Sequence, residues 1–355
     1  MKLHKLVVGV LALSVPTVLT AVSQSAAAAG DSSRSSAGPR HCVIIDTDFD
    51  IDDMMAIPTV IGNRTVAAVI TSEGYTKARP GASALSRLLA EPGQRNIPVI
   101  VGANSHRSRA SIVADYGQYV LTYRAMMDRL NNFLPTALPL SKPTKPGFTK
   151  RIVAAVAGCR TVEVEVIGTF TSFVKYSPAI RSKISRVVIM GKPLRGDKAQ
   201  VPGRISFNCA YDLKACKRAF NRQLPGLKYA YVDVPRTECD ETPNAANCVG
   251  KVYGPTLGMV QGLGDKGLPN TLKQVLLSHP ESWALDDWES STYGGRSLLW
   301  DQSASLFMLD RSIFKKVGGR GGHFVTTVSP EVYRAKWTSF TNTSKRYQSN
   351  KAVKQ

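Results

Sequence analysis

Short apolar runs that are rich in β-branched residues recur along the chain, and segments with a helical pattern separate them. Strands buried on both faces read as continuous apolar runs, and their alternation with helices is typical of a parallel sheet. We therefore predict an α/β fold, a single large domain with a mostly parallel central sheet and helices on both faces. The runs are CVIID at 42–46, VAAVIT at 66–71, IPVIVGA at 97–103, VEVEVIG at 162–168, RVVIMG at 186–191 and YAYVDV at 229–234.

The two ends of the chain differ from this pattern. Residues 1–29 place two lysines before an apolar stretch of about a dozen residues and then small residues, which is typical of a secretory signal peptide. The stretch is shorter than the ~20 apolar residues that a membrane span needs, and no later stretch is long enough either. We expect a secreted or extracellular protein, with the periplasm as an alternative. Residues 30–40 read as a disordered leader, 41–340 as the domain and 341–355 as a basic flexible tail.

The formal net charge is +20 at pH 7, which favours anionic surroundings or simply a charged, solvated surface. The basic residues are spread along the chain, and the sequence contains no zinc-finger spacing, RNA-binding signature or heptad run. We therefore favour a solvated surface and expect no specific nucleic-acid partner.

Six cysteines follow the signal segment, and in an exported chain this number favours disulfides. Cys239 and Cys248 enclose DETPNAAN, which has the composition of a loop, so we predict that they pair. Cys209 and Cys216 are either a second pair or ordinary buried thiols.

The first apolar run ends in an acidic stretch, DTDFDIDD at 46–53. Ligands of open parallel sheets bind at the carboxyl ends of the strands, which is where this stretch lies. Carboxylates this close together repel one another unless protons or a cation intervene. Calcium accepts about six to eight oxygen ligands, including carboxylates and backbone carbonyls. The stretch therefore predicts a metal site, with Ca²⁺ as the ion.

Three other interpretations of the acidic stretch fit less well. An EF-hand loop counted from Asp46 needs Gly and Glu where the chain has Ile51 and Ile57. Aspartate-nucleophile phosphatases carry Asp-x-Asp followed by Thr or Val, but here Asp50 takes that place. A solvated acidic turn is disfavoured because apolar residues flank the stretch on both sides.

The stretch IIDTDFDIDDMMAI resembles the amino-terminal signature of the calcium-dependent inosine-uridine type nucleoside hydrolases. Further pieces resemble that family's motifs in the family's order over most of the chain. They are IPVIVGA at 97–103, VEVEVIGTFTSF at 162–173, VVIMG at 187–191, SFNCAYD at 206–212 and LLWDQSASLFMLD at 298–310. The resemblance implies hydrolysis of the N-glycosidic bond of ribonucleosides to base and ribose.

The resemblance also implies roles for individual residues. It implies that calcium is held by the carboxylates of Asp48, Asp53 and Asp301 and by the backbone carbonyl of Thr171. Asp48 would also be the general base that deprotonates the attacking water.

In the same comparison, Asp52 and Asn208 would hold the ribose 2′- and 3′-hydroxyls, with help from Asp301. Asp46 would orient its neighbours. Family members are often dimers or tetramers, so a homo-oligomer is an option that the sequence does not decide.

The chain departs from the family pattern at several positions. Uridine-using members have His directly before the last aspartate, whereas this chain has Trp300, which resembles the purine-specific branch and predicts stacking on the base. Ser206 replaces a Glu that reaches the sugar 5′-hydroxyl, Asp197 aligns with an Asn, and Tyr75 replaces another Asn.

Two further departures lie beside the acidic stretch. Phe49 and Asp50 replace a Pro-Gly turn, and Pro58 falls inside the expected first helix, where it should kink or end it. We expect a secreted purine nucleoside hydrolase. The alternative is a non-catalytic secreted protein that binds a nucleoside or a metal, or acts as an effector, through a degenerate hydrolase site.

Overall fold

The six apolar runs form strands β1 to β6 of one eight-stranded sheet, which confirms the predicted α/β fold. The strand order is β3-β2-β1-β4-β5-β6-β8-β7, and only the pairing of β7 with β8, at one edge, is antiparallel. The strands are β1 Arg40–Thr47, β2 Val66–Thr71, β3 Val99–Val101, β4 Cys159–Val166, β5 Ile184–Met190, β6 Tyr229–Asp233, β7 Phe314–Gly318 and β8 His323–Thr326.

The computed structural model of the protein describes residues 40–91, 94, 96–132, 147–191, 206–235, 251–284, 299–318 and 322–343. These residues belong to one compact unit, Pro39–Gln355. The predicted signal peptide, most of the predicted leader, Asp197, the Cys239–Cys248 pair and most of the predicted tail lie outside the described residues and stay predictions.

Helices cover both faces of the sheet, because successive residues of β1 pack into two different cores. Val43 and Ile45 pack with residues of α1, α10, α11 and α12, whereas Cys42 and Ile44 pack with residues of α5, α6 and α8. The helices are α1 Ile51–Asn63, α2 Ala78–Leu88, α3 Arg109–Tyr116, α4 Tyr119–Asn132, α5 Phe148–Ala155, α6 Phe173–Ile180, α7 Phe207–Tyr211, α8 Leu213–Arg218, α9 Leu257–Gln261, α10 Gly267–Leu277, α11 Trp300–Leu309 and α12 Pro330–Thr341.

Pro58 was expected to kink or to end the first helix, and it does not end α1. The helix continues to Asn63, and its residues from Ile51 to Gly62 are all buried. It packs against α11 and α12, so burial of this apolar helix outweighs the hydrogen bond that a proline cannot donate.

Two disulfides occur in the described residues. Cys209–Cys216 joins α7 to α8, so of the two alternatives left open for these cysteines the structure has the disulfide. Cys42–Cys159 joins the neighbouring strands β1 and β4 and was not anticipated. Disulfides persist in oxidising compartments, so both bonds are compatible with an extracellular protein.

None of the described helices is long and apolar enough to cross a membrane.

Candidate active site

Asp46 lies where β1 ends and is tied to the segments that follow two neighbouring strands. Its Oδ1 accepts a 2.6 Å hydrogen bond from the Ser72 hydroxyl, after β2. Its backbone carbonyl accepts hydrogen bonds from the amides of Ile167 (2.8 Å) and Gly168 (2.9 Å), after β4. Asp46 is fully buried, and its hydrogen bonds connect the ends of β1, β2 and β4. This arrangement suits the orienting role expected of it.

A tight turn connects β1 to α1. The Thr47 hydroxyl accepts a 2.9 Å hydrogen bond from the amide of Phe49, whose φ of 49° is left-handed. This turn brings Asp50 to the N-cap of α1, where Oδ1 accepts hydrogen bonds from the amides of Asp52 (3.1 Å) and Asp53 (3.3 Å). Asp53 Oδ2 accepts a 2.9 Å bond from the Asp50 amide, which completes a capping box.

Four carboxylates from two distant segments converge next to this turn. Asp50, Asp52, Asp53 and Asp301 each place one oxygen within 4.8 Å of the others. Asp301 lies in the first turn of α11, and the neighbouring Gln302 donates a 3.0 Å hydrogen bond from Nε2 to the carbonyl of Asp52. The start of α1 and the start of α11 are thus held together, although about 250 residues separate them in the chain.

Asp48 is held from the opposite side by the loop after β2. Its Oδ2 accepts a 2.6 Å hydrogen bond from the Tyr75 amide, and its carbonyl accepts a 2.6 Å bond from the Thr76 hydroxyl. Arg124, in α4, fixes that loop by donating to the carbonyls of Gly74 (2.7 Å) and Tyr75 (2.9 Å). Asp48 is 1% exposed and lies within hydrogen-bonding reach of the Asp53 carboxyl.

Burial makes the charged form of every one of these carboxyls costly. Burial raises the pKa of Asp48 to about 6, that of Asp52 to about 7 and that of Asp46 to about 8. Burial, followed by repulsion from the neighbouring carboxylates, raises the pKa of Asp50, Asp53 and Asp301 well above the ordinary value. A cation would remove this repulsion and lower each pKa.

The donor set fits a hard divalent cation. Asp301 Oδ1 is buried and has no hydrogen-bond partner in the described part of the chain, although its carboxylate points into the group of four. A buried carboxylate oxygen without a donor is costly, and a metal ion satisfies it. Carboxylate oxygens are the ligands that calcium prefers.

Two further predicted residues lie on segments beside the cluster. Thr171 is in the turn between β4 and α6, and its hydroxyl donates a 2.7 Å hydrogen bond to Asp212 Oδ2. Asn208, in α7, is 4% exposed and donates from Nδ2 to the carbonyl of Ile167, in the turn that also contacts Asp46. The turn after β4 therefore links both residues to the end of β1.

Aromatic side chains surround the loop that holds Asp48. Tyr75 stacks on Phe207 with ring centroids 4.0 Å apart and contacts Tyr123 at 4.7 Å. Ser206, where the family has Glu, directly precedes Phe207. Trp300 is the first residue of α11, half-buried and next to Asp301. Three of the positions that depart from the family pattern, Tyr75, Ser206 and Trp300, therefore carry an aromatic or a small side chain.

Sequence reasoning did not assign roles to three residues of this region. Asp50 belongs to the group of four carboxylates, whereas Asp48 does not. The sequence signal was available, because Asp50 stands where the family pattern has Gly. Arg124 carries no motif and is brought near Asp48 by the packing of α4. Its Nη2 lies 3.5 Å from Oε1 of Glu73, in the loop after β2.

Comparison with models of known protein families shows which family the chain belongs to. Residues 43–324 match the model of the inosine-uridine preferring nucleoside hydrolases. The chain belongs to this family. Family membership supports hydrolysis of N-glycosidic bonds, and the buried acidic cluster agrees with the metal dependence of nucleoside hydrolases. No curated protein sequence matches the chain.

Solved structures share the fold of this nucleoside hydrolase. The inosine-uridine preferring nucleoside hydrolase from Bacillus anthracis is 14% identical, with a TM-score of 0.52 over 85% of this chain and 99% of that one. The plant nucleoside hydrolase PpNRh1 is 18% identical, with a TM-score of 0.58 over 86% and 99%. The type III effector XopQ, solved with adenosine diphosphate ribose, is 14% identical, with a TM-score of 0.55 over 86% and 92%.

Proposed function

We propose that the protein is a secreted, calcium-dependent hydrolase that cleaves the N-glycosidic bond of purine ribonucleosides. The observation that carries the proposal is the convergence of Asp301, from α11, with the aspartates that follow β1. Family membership supplies the reaction class. The ion, the purine preference and the individual residue roles rest on the arguments that follow.

The proposed chemistry follows from the charges around the pocket. Cleavage of an N-glycosidic bond passes through a transition state in which the sugar ring becomes positively charged. Asp52 and Asp301, buried and close together, would stabilise that charge and hold the sugar hydroxyls. Asp48 would act as the general base and accept a proton from the attacking water. The hydrogen bond from the Tyr75 amide holds its carboxylate in one orientation for this step.

Calcium would be held by Asp48, Asp53, Asp301 and the carbonyl of Thr171. When bound, a cation of this kind lowers the pKa of water and orients it. It would also keep the surrounding aspartates ionised.

The purine preference rests on Trp300. It lies half-buried at the start of α11, directly before Asp301, whose carboxylate is proposed to hold the sugar. Stacking of a base on an aromatic side chain contributes about 1–3 kcal/mol, and a purine offers the larger ring surface.

The direct test measures release of free base and ribose from inosine, guanosine, adenosine and uridine, with calcium and with a chelator. We expect turnover of the purine nucleosides with calcium only. Asp48→Asn should retain its fold and lose at least about 10²-fold in kcat, since a positioned general base contributes roughly 10²–10⁴-fold. Asp265→Asn, at a fully exposed aspartate, is the matched control and should keep full activity. Full activity of Asp48→Asn would exclude the base assignment.

A second candidate is a secreted binding or effector protein that retains the metal site without turnover. Tyr75, stacked on Phe207 beside Asp48, and Ser206 favour it, because polar residues of the family pattern are replaced there. A structural neighbour is an effector solved with adenosine diphosphate ribose. Calorimetry separates the two candidates, since nucleoside binding without base release supports the second.

Secretion is tested separately. The amino terminus of the protein recovered outside the cell should begin near residue 30, after removal of the signal segment. Recovery of an intact amino terminus inside the cell would contradict it.

A further inference from the structure

Asp50 caps α1 through one carboxylate oxygen and is also a member of the acidic group. Oδ1 accepts the amides of Asp52 (3.1 Å) and Asp53 (3.3 Å). Asp50 also belongs to the group in which each member places a carboxylate oxygen within 4.8 Å of the others, together with Asp52, Asp53 and Asp301. The side chain is 5% exposed, so its second oxygen has little access to water.

Capping alone does not account for an aspartate at this position. Ser, Asn and Gly also begin helices, and Ser or Asn would satisfy the same amides without a charge. The Asp50 carboxyl lies within hydrogen-bonding reach of the Asp52 carboxyl and is repelled by Asp48 as well. Burying an extra carboxylate among others is unfavourable unless a proton or a cation offsets its charge.

A second, independent observation indicates an ion at this place. Asp301 Oδ1 is buried in the same group without a hydrogen-bond partner in the described part of the chain. Asp301 comes from α11 and has no part in capping α1. Both helix starts therefore present a carboxylate oxygen to the same small volume.

We propose that Asp50 is a direct carboxylate ligand of the divalent cation, in addition to the ligands that the family resemblance implies. This inference rests on the metal site of the proposed function, although it does not require turnover. Calcium accepts about six to eight oxygens, so the additional ligand can be accommodated. Because ligand charge sets calcium affinity, Asp50 gives this site a higher affinity than a glycine at the same position would.

The test uses variants that keep the cap and remove the charge. Asp50→Ser retains a capping oxygen but cannot reach the cluster, and Asp50→Asn retains the shape with a neutral amide. Calcium affinity is measured on the full chain by calorimetry, and terbium competition gives a second reading. We expect Asp50→Ser to weaken calcium binding at least about tenfold and Asp50→Asn to weaken it less. The unfolding temperature without calcium should stay the same or rise, while the increase that calcium causes should shrink.

Asp310→Ser is the matched control, because Asp310 also caps a helical turn, through a 3.1 Å bond from the Ser312 amide, and lies outside the cluster. It should bind calcium as the unmodified protein does. Unchanged affinity of Asp50→Ser would show that Asp50 is a cap only and would overturn this inference while leaving the proposed function in place. Absence of calcium binding by the unmodified protein would overturn both.

Discussion

The Tyr75 amide donates a 2.6 Å hydrogen bond to Oδ2 of Asp48, and the residue before Tyr75 is a glycine. A Cβ atom at Gly74 would lie 2.0 Å from that oxygen. The absence of a side chain at Gly74 is therefore what allows the loop after β2 to hold the carboxylate. Arg124 keeps the loop in place by binding the carbonyl of Gly74 at 2.7 Å.

Gly74→Ala is therefore expected to displace the Asp48 carboxylate. A displacement of about 1 Å in a reacting group can lower the rate about 10²-fold, so we expect kcat for base release to fall by about that factor. The unfolding temperature should also fall, because Gly74 and Asp48 are both buried and there is no free space for the added methyl group. Steady-state kinetics and thermal unfolding provide the measurement.

Gly258→Ala is the control for this prediction. Gly258 lies in α9, and nothing lies within 4 Å of a Cβ atom built there. Its activity should equal that of the unmodified protein. If Gly74→Ala keeps full activity, the position of Asp48 does not limit the reaction.

Much of this architecture could be predicted from the sequence, because each of β1 to β6 coincides with an apolar run. β7 and β8 were not predicted. Their sequences, FKKVG and HFVT, are short. β7 forms the edge of the sheet, and most of the side chains of the neighbouring β8 are only partly buried. The strand order could not be predicted from the sequence either. The disulfide between Cys42 and Cys159 was therefore missed, because it depends on β1 and β4 being neighbours.

The candidate site, too, could be predicted from the sequence only in part. The aspartates after β1 could be found because they are contiguous, and Asp301 could be proposed because its motif resembles the family's. Arg124 contacts the site through backbone carbonyls, which leave no trace in a sequence. Asp50 was visible as an extra carboxylate, but its place in the cluster depends on the left-handed turn at Phe49.

Trp300 offers a test of base preference. Trp300→Leu removes the indole that we expect to stack on the base, and stacking contributes roughly 1–3 kcal/mol. We expect kcat/KM for inosine and guanosine to fall about 5- to 150-fold, with a smaller loss for uridine. Trp300→Phe, which keeps an aromatic ring, should retain most of the activity.

Calcium affinity of the Trp300 variants must be measured alongside, because Asp301 is the next residue. Unchanged affinity assigns the loss to the base. An equal loss for purine and pyrimidine nucleosides would contradict stacking and favour a packing role, since Trp300 also packs against the core.

The buried carboxyl of Glu165 should make the stability of the fold depend on pH. It lies in β4 with no exposed surface, and its Oε1 accepts a 2.7 Å hydrogen bond from the Ser305 hydroxyl. Burial raises its pKa to about 8. Between the ordinary value of about 4.3 and 8, the folded protein therefore holds a proton that the unfolded chain releases, so the free energy of unfolding falls as pH rises through this window.

Glu165→Gln should remove this part of the pH dependence. At about pH 4, below the unfolded pKa, the two proteins should be nearly equally stable, whereas at pH 9 the variant should be more stable by about 1.4 kcal/mol for each pKa unit of the shift. Urea denaturation at both pH values, with saturating calcium, measures the difference. Glu163→Gln, on the same strand, removes the partner of Arg186 and should show no gain at pH 9. A variant of Glu165 that is less stable at pH 9 would contradict the argument.

The two disulfides should differ in how much they stabilise the fold. Cys42–Cys159 joins residues 117 positions apart, whereas Cys209–Cys216 joins residues 7 apart. A crosslink that closes a longer loop removes more conformational entropy from the unfolded chain, and the difference between these loops is about 2.5 kcal/mol. Replacing both cysteines of the first pair by alanine should therefore lower the free energy of unfolding by about that much more than the same change in the second pair. Urea denaturation without reductant measures both losses. Equal losses would mean that the β1–β4 pairing already restricts the unfolded chain, or that the lost packing of buried sulfur at both sites outweighs loop closure.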